Sequence, residues 1–161
     1  MIKKLNLNTD SRDATISLGR VISRSLGPGS GVLLSGDLGA GKTTLIQGIC
    51  RGLGVTENVK SPTFVIECRY QGELPVHHVD LYRLSSALEL ENAGWEEMAD
   101  EEGVYLVEWA DRFPLPFTAG ALRVGIEYGE SPDGRVFEIA FDDGLYPTIE
   151  KDLREYDHPG I

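Results

Sequence analysis

The run Gly36-Asp37-Leu38-Gly39-Ala40-Gly41-Lys42-Thr43 satisfies G-x-x-x-x-G-K-[ST] at every fixed position. Such a loop must follow a strand and open a helix. Upstream, Gly31-Val32-Leu33-Leu34-Ser35 is a short apolar run suited to a buried parallel strand. Downstream, Leu45, Ile46, Ile49, Cys50 and Leu53 recur at helical spacing. Gly54 stands where a glycine ends a helix. The chain has 19 glycines, so a chance match in a glycine-rich turn is the competing reading. Strand, loop and helix in the required order argue against it.

The chemistry of this loop is anion binding. Glycines let backbone N–H groups approach phosphates, because no Cβ intrudes and positive φ is allowed. At a helix start those groups form a nest reinforced by the helix dipole. The expected ligand is a nucleoside triphosphate held by Asp37, Leu38, Gly39, Ala40, Gly41, Lys42, Thr43 and Thr44. Lys42 reaches the β- and γ-phosphates, and the Thr43 hydroxyl binds Mg²⁺.

Length and charge narrow the classes. With 161 residues the chain reads as one domain with room for a real core. No run of about 18 apolar residues occurs, and the N-terminus lacks an apolar signal region, so neither a membrane span nor export is expected. Cys50 and Cys68 form no C-x-x-C, which suits a reducing, cytoplasmic setting. The formal net charge is −11. Such a balance disfavours an extensive nucleic-acid surface on this chain alone. If RNA is involved, a partner supplies most of the contact.

The remaining pattern is an α/β alternation. Ile2–Leu7 reads as an edge strand, followed by N-cap candidates Thr9, Asp10 and Ser11 and a helix face of Ala14, Leu18, Val21, Ile22 and Ser25, stopped by Gly27-Pro28. Thr63–Tyr70 and Pro75–Asp80 flank Gln71-Gly72-Glu73 as a hairpin. Ser86-Ala87-Leu88-Glu89 is a capping box opening a short helix, interrupted at Gly94-Trp95. Val104-Tyr105-Leu106-Val107 is a compact strand. Ala121–Tyr128 and Arg135–Phe141 flank the turn Ser131-Pro132-Asp133-Gly134 as a second hairpin. The expectation is a single α/β P-loop NTPase domain over residues 1–144. Its mixed, partly parallel sheet is flanked by helices and carries two antiparallel hairpins. For 145–161 a short helix and a poorly ordered tail are both compatible with the composition.

A P-loop enzyme needs a carboxylate at the end of a strand beside the loop, holding Mg²⁺ directly or through water. Glu108 closes the cleaner apolar strand and is the better metal ligand; Asp80 closes Val76–Val79 and would hold metal waters or orient the attacking water. Ser61-Pro62-Thr63 is either a nucleotide-sensing loop or plain turn chemistry. His77 and His78 point to opposite strand faces, so packing and a hydrogen bond suit them better than a shared metal. Asp100-Glu101-Glu102-Gly103 matches D-x-x-G but follows no apolar strand, and N-K-x-D is absent from the sequence, so ATP is favoured over GTP.

Four segments in order carry a resemblance. They are Gly36–Thr44, Val59-Lys60-Ser61-Pro62-Thr63-Phe64, His78-Val79-Asp80-Leu81-Tyr82-Arg83-Leu84 and Leu106-Val107-Glu108-Trp109. Together they resemble the bacterial TsaE (YjeE) family, the P-loop ATPase of tRNA N6-threonylcarbamoyladenosine synthesis. The resemblance runs from near the N-terminus to about Phe141. It implies weak ATP hydrolysis alone, and work with a TsaD–TsaB complex that modifies adenosine 37 of tRNA. It also implies Lys42 as the phosphate lysine, Thr43 and Glu108 as Mg²⁺ ligands, Asp80 as a nucleotide-site acid and Thr63 in a switch-like loop. Arg135 resembles a nucleotide-contacting arginine. Lys42, Asp80, Glu108 and Thr63 are the expected catalytic set. Two other classes fit the glycine loop: a small-molecule P-loop kinase, and a nucleotide-controlled adaptor without enzymatic duty. Against the kinase, no Arg-rich lid segment stands out.

Overall fold

The computed structural model describes residues 1–60, 67–98, 102–112, 114–115 and 118–157. The strands are β1 (Ile2–Thr9), β2 (Gly31–Gly36), β3 (Glu67–Gln71), β4 (Pro75–Asp80), β5 (Val104–Glu108), β6 (Leu122–Tyr128) and β7 (Arg135–Asp142). The helices are α1 (Arg12–Ser23), α2 (Lys42–Gly52), α3 (Ala87–Asn92), α4 (Trp95–Met98) and α5 (Ile149–Asp157).

The strands form one seven-stranded sheet in the order β1-β7-β6-β2-β5-β4-β3. Its centre is parallel: β2 pairs with β6 and β5, and β5 with β4. The two hairpins β3–β4 and β6–β7, together with β1 on β7, make the antiparallel flanks. The mixed, partly parallel sheet expected from the sequence is therefore present. Every residue of β5 is buried, as a strand covered on both faces requires.

Period-two alternation divides the apolar residues between two layers. Val32, Leu34, Leu106 and Phe137 join the cluster under α1, α2 and α5. Leu33, Val79, Tyr105 and Val107 join the opposite cluster, with Leu90 of α3 and Trp95 of α4. Helices α1 and α2 meet through glycines. A Cβ on Gly48 would lie 2.2 Å from the Ile16 carbonyl oxygen, and one on Gly19 would lie 2.5 Å from that of Leu45.

Local chemistry sets the boundaries. Of the three N-cap candidates, Ser11 caps α1 by accepting from Ala14 N at 3.1 Å. Thr9 instead is buried at the end of β1, its hydroxyl 2.8 Å from that of Thr15. Gly54, at φ +82°, follows the last turn of α2 as expected. Ser86 caps α3 at Glu89 N, but the Glu89 carboxylate reaches back to Ser85 and not to Ser86. The capping box is thus displaced by one residue on its return arm. The first hairpin strand is described from Glu67 onward; Thr63–Ile66 lie outside the described residues. Beyond β7, Ile149 and Leu153 of α5 are fully buried in the main core, and Tyr156 donates to the Ala14 carbonyl at 2.7 Å.

Candidate functional site

The parallel strands β2, β4 and β5 all end at one edge, and the glycine loop leaves β2 there. Positive φ is used three times: Gly36 at +148°, Gly39 at +78° and Gly41 at +113°. At Gly36 a side chain is also excluded by space, since a Cβ would come within 2.6 Å of the Ile126 carbonyl oxygen. Gly41 is the N-cap of α2 and gives no side-chain cap. The first turn of α2 therefore presents backbone N–H groups without an internal acceptor from its cap, as an anion cradle requires.

Lys42 is almost fully buried at the start of α2. Its ammonium donates to the carbonyls of Gly36 at 2.6 Å and Asp37 at 2.9 Å. It also lies 4.0 Å from the centroid of the Trp109 ring. Burial holds its pKa below the ordinary lysine value, although Glu108, Asp80, Asp111 and Asp37 pull the other way.

Thr43 and Glu108 meet across the loop. The Thr43 hydroxyl donates to Glu108 Oε1 at 2.9 Å. Glu108 is buried, and its other oxygen, Oε2, sits 2.6 Å from His78 Nε2. Asp80 stands beside Glu108 in the β4–β5 register, and its Oδ1 accepts from Tyr82 N at 2.9 Å. A hydroxyl oxygen and a carboxylate oxygen at helix start and strand end are donors of the kind Mg²⁺ takes. Among the described residues no group of three or more His, Cys, Asp or Glu could form a closed cage for another metal.

Other expected residues have definite positions. Leu38 is the exposed tip of the loop. Arg135 turns toward the back of the loop: Nε donates to the Ala40 carbonyl at 2.9 Å and Nη2 to that of Gly39 at 3.5 Å. Its guanidinium carbon lies 4.6 Å from the centroid of Tyr128, whose hydroxyl donates to Leu38 O at 2.7 Å. Arg135 thus braces the loop from behind. Thr63 lies outside the described residues. Lys42, Thr43, Asp80 and Glu108 are brought together at one strand edge.

A hydrogen bond was expected at His78, but its partner Glu108 was not, nor was the placement of the Trp109 ring over the Lys42 ammonium. His78 had a usable signal, since it shares a strand face with Asp80 two residues on. Trp109 had none, because its place depends on a left-handed backbone, φ +60°, just after β5. Its ring also contacts Tyr82, with centroids 4.9 Å apart.

A cleft of about 560 Å³ opens beside the loop, lined in part by Ser35, Gly36, Asp37 and Asp111. Its carboxylates repel a polyphosphate, so the cradle at the start of α2 is the better anion site. No helix among the described residues is long and apolar enough to cross a membrane.

Comparison with known proteins identifies the family and the fold. The family described as "Threonylcarbamoyl adenosine biosynthesis protein TsaE" matches residues 9–136. The chain is 42% identical over 158 residues to the tRNA threonylcarbamoyladenosine biosynthesis protein TsaE of Bacillus subtilis, covering 98% of each chain. It is 44% identical over 125 residues to the protein of that name from Nostoc, covering 74% of this chain and 75% of the relative. The crystal structure of Bacillus subtilis YdiB superposes with a TM-score of 0.76 at 31% identity, covering 98% of this chain and 99% of the other. A family match across most of the chain, a relative aligned over nearly its whole length and a shared fold make this chain a member of the TsaE family.

Proposed function

We propose that this chain is a Mg²⁺-dependent ATPase acting in threonylcarbamoyladenosine modification at position 37 of tRNA, in the cytoplasm, together with a TsaD–TsaB complex. The observation that carries the reading is the Thr43–Glu108 hydrogen bond of 2.9 Å, with Glu108 in strand register with Asp80, beside an uncapped helix start. Membership of the TsaE family supports the pathway. Contact with tRNA comes through the partner complex, in keeping with a net charge of −11.

The residues divide the work. Backbone N–H groups of Leu38–Thr44 bind the phosphates. Lys42 leaves the carbonyls of Gly36 and Asp37 and neutralises the β- and γ-phosphates. When bound, Mg²⁺ neutralises phosphate charge and fixes the phosphate chain for in-line attack. Thr43 and Glu108 are the side chains that would hold it. Asp80, adjacent to Glu108, orients water.

Reconstitution tests this. Threonylcarbamoyladenosine formation is followed with TsaD and TsaB in the presence of the parent chain or of Lys42→Ala. Multiple turnover with the parent and its loss with Lys42→Ala are expected. Equal turnover with both overturns the reading. Glu108→Ala separates an ATPase from an adaptor: if it binds ATP, does not hydrolyse it and still sustains turnover, hydrolysis is not the function.

A further inference from the structure

We infer that His78 is a positioning residue that fixes the Glu108 carboxylate for metal binding; this rests on the Mg²⁺-dependent ATPase reading of the site. His78 and Glu108 come from neighbouring parallel strands. In the β4–β5 register His78 lies opposite Leu106, and Asp80 lies opposite Glu108. Alternation puts His78, Asp80, Leu106 and Glu108 on one face of the sheet, the face covered by α2. His78 is one step deeper than the two acids. It is fully buried between positions whose neighbours, Val76 and Leu106, belong to the apolar core. An imidazole in such a layer costs solvation that an aliphatic side chain would not. Packing alone gives no reason for it.

Hydrogen bonding gives one. His78 Nε2 is 2.6 Å from Glu108 Oε2, while Glu108 Oε1 accepts from Thr43 at 2.9 Å. His78 Nδ1 is buried and has no partner among the described residues. A ring carrying its proton on Nε2 donates to the carboxylate and leaves only a bare lone pair at Nδ1. The opposite tautomer would set two lone pairs against each other and strand an N–H in the core, which is the costlier arrangement. The two oxygens of Glu108 therefore have separate duties. Oε2 is tied to the protein, and Oε1 faces the Thr43 hydroxyl. When that hydroxyl turns toward a cation, the His78 bond keeps the carboxylate from rotating away. Outer partners of metal-binding side chains act in this way.

Two polar substitutions of similar bulk separate positioning from packing. Gln places its amide nitrogen near the position of Nε2; Asn places its own near Nδ1 and cannot reach Glu108. The readouts are the Mg²⁺ concentration for half-maximal ATP hydrolysis and the affinity for ADP without Mg²⁺. His78→Asn should raise the Mg²⁺ requirement about 10- to 100-fold, with His78→Gln within about threefold of the parent and Mg²⁺-free ADP affinity unchanged in both. Equal Mg²⁺ dependence of H78N and H78Q overturns the proposal. A nitrogen NMR spectrum of the unsubstituted protein reads the tautomer directly, whether or not the variants fold. A proton on Nε2 supports the proposal, and one on Nδ1 overturns it. If the parent itself shows no Mg²⁺-dependent hydrolysis, alone or with TsaD and TsaB, the ATPase reading fails, and His78 has no part in metal binding even with its proton on Nε2.

Discussion

The ammonium of Lys42 lies 4.0 Å from the centroid of the Trp109 ring, so the loop lysine is roofed by the residue that follows the β5 carboxylate. Below that roof it is bound to two carbonyls of its own loop. Burial is the largest influence on it and lowers its pKa from 10.5. The unfolded chain therefore binds more protons than the folded one between the folded value and 10.5, and stability gains from rising pH in that window. Compared with Lys42→Met, which lacks the group, the parent should gain relative stability as pH rises toward 10.5. Below the folded value the difference should be flat. Thermal unfolding of both chains across alkaline pH checks the sign.

Trp109 adopts φ +60°, a conformation that costs a residue with a Cβ roughly 1 kcal/mol. Truncation should therefore invert a familiar order. Trp109→Gly and Trp109→Ala both lose the ring contacts with Lys42 and Tyr82. Only the glycine variant sheds the backbone strain. It should be the more stable of the two by about 1 kcal/mol in urea unfolding. A more stable alanine variant refutes strain at this position.

Gly48 lets the loop helix α2 lie against α1. A methyl group there would meet the Ile16 carbonyl oxygen at 2.2 Å, and backbone cannot swing aside as a side chain can. Gly48→Ala should destabilise the chain by about 1–3 kcal/mol despite the better helix propensity of alanine. Chemical denaturation measures it. A neutral or stabilising result would mean that the two helices separate freely.

Arg135 and Tyr128 hold the outer carbonyls of the loop from the β6–β7 hairpin. Arg135→Ala removes a charged donor from Ala40 O and should weaken ATP binding roughly tenfold, in line with a bond to a charged group. Arg135→Lys should not restore it, because an ammonium lacks the guanidinium fork that spans several carbonyls. Calorimetric titration with a non-hydrolysable ATP analogue tests both variants.

Helix α5 is fastened by apolar and ionic contacts together. Leu153 is fully buried, so Leu153→Ala should cost about 2–5 kcal/mol. On its outer side Lys3 donates to Glu150 at 2.9 Å. That bond, followed by the one from Arg154, holds the Glu150 pKa below 4.5. A depressed carboxylate contributes stability above its unfolded value and loses it as pH falls through the folded value. Glu150→Gln should therefore narrow the stability difference between pH 6 and acid pH, in the direction of a flatter profile.

The locally encoded parts of this protein were the readable ones. The glycine loop, β5 as an apolar run, both hairpins and the Ser11 cap each depend on residues within a few positions of one another. That Asp80 and Glu108 each end an apolar strand is local as well, but their adjacency comes from the β4–β5 pairing. The His78–Glu108 bond depends on the register of strands 30 residues apart, which no local pattern encodes. The seat of Arg135 on the carbonyls of Gly39 and Ala40 is likewise set by tertiary structure. Ile149, Leu153 and Tyr156 do recur at helical spacing. The charges between them and the flanking prolines diluted that stripe until the core made it meaningful.

Lys42 rests on the carbonyls of Gly36 and Asp37, so on the proposed ATPase reading nucleotide capture would be an exchange and not a simple addition. The incoming phosphate competes with an internal substitute for the same ammonium. Each bond that Lys42 forms outward is one it surrenders inward, and the released carbonyls must find water or a moved loop. The net gain per contact is therefore small.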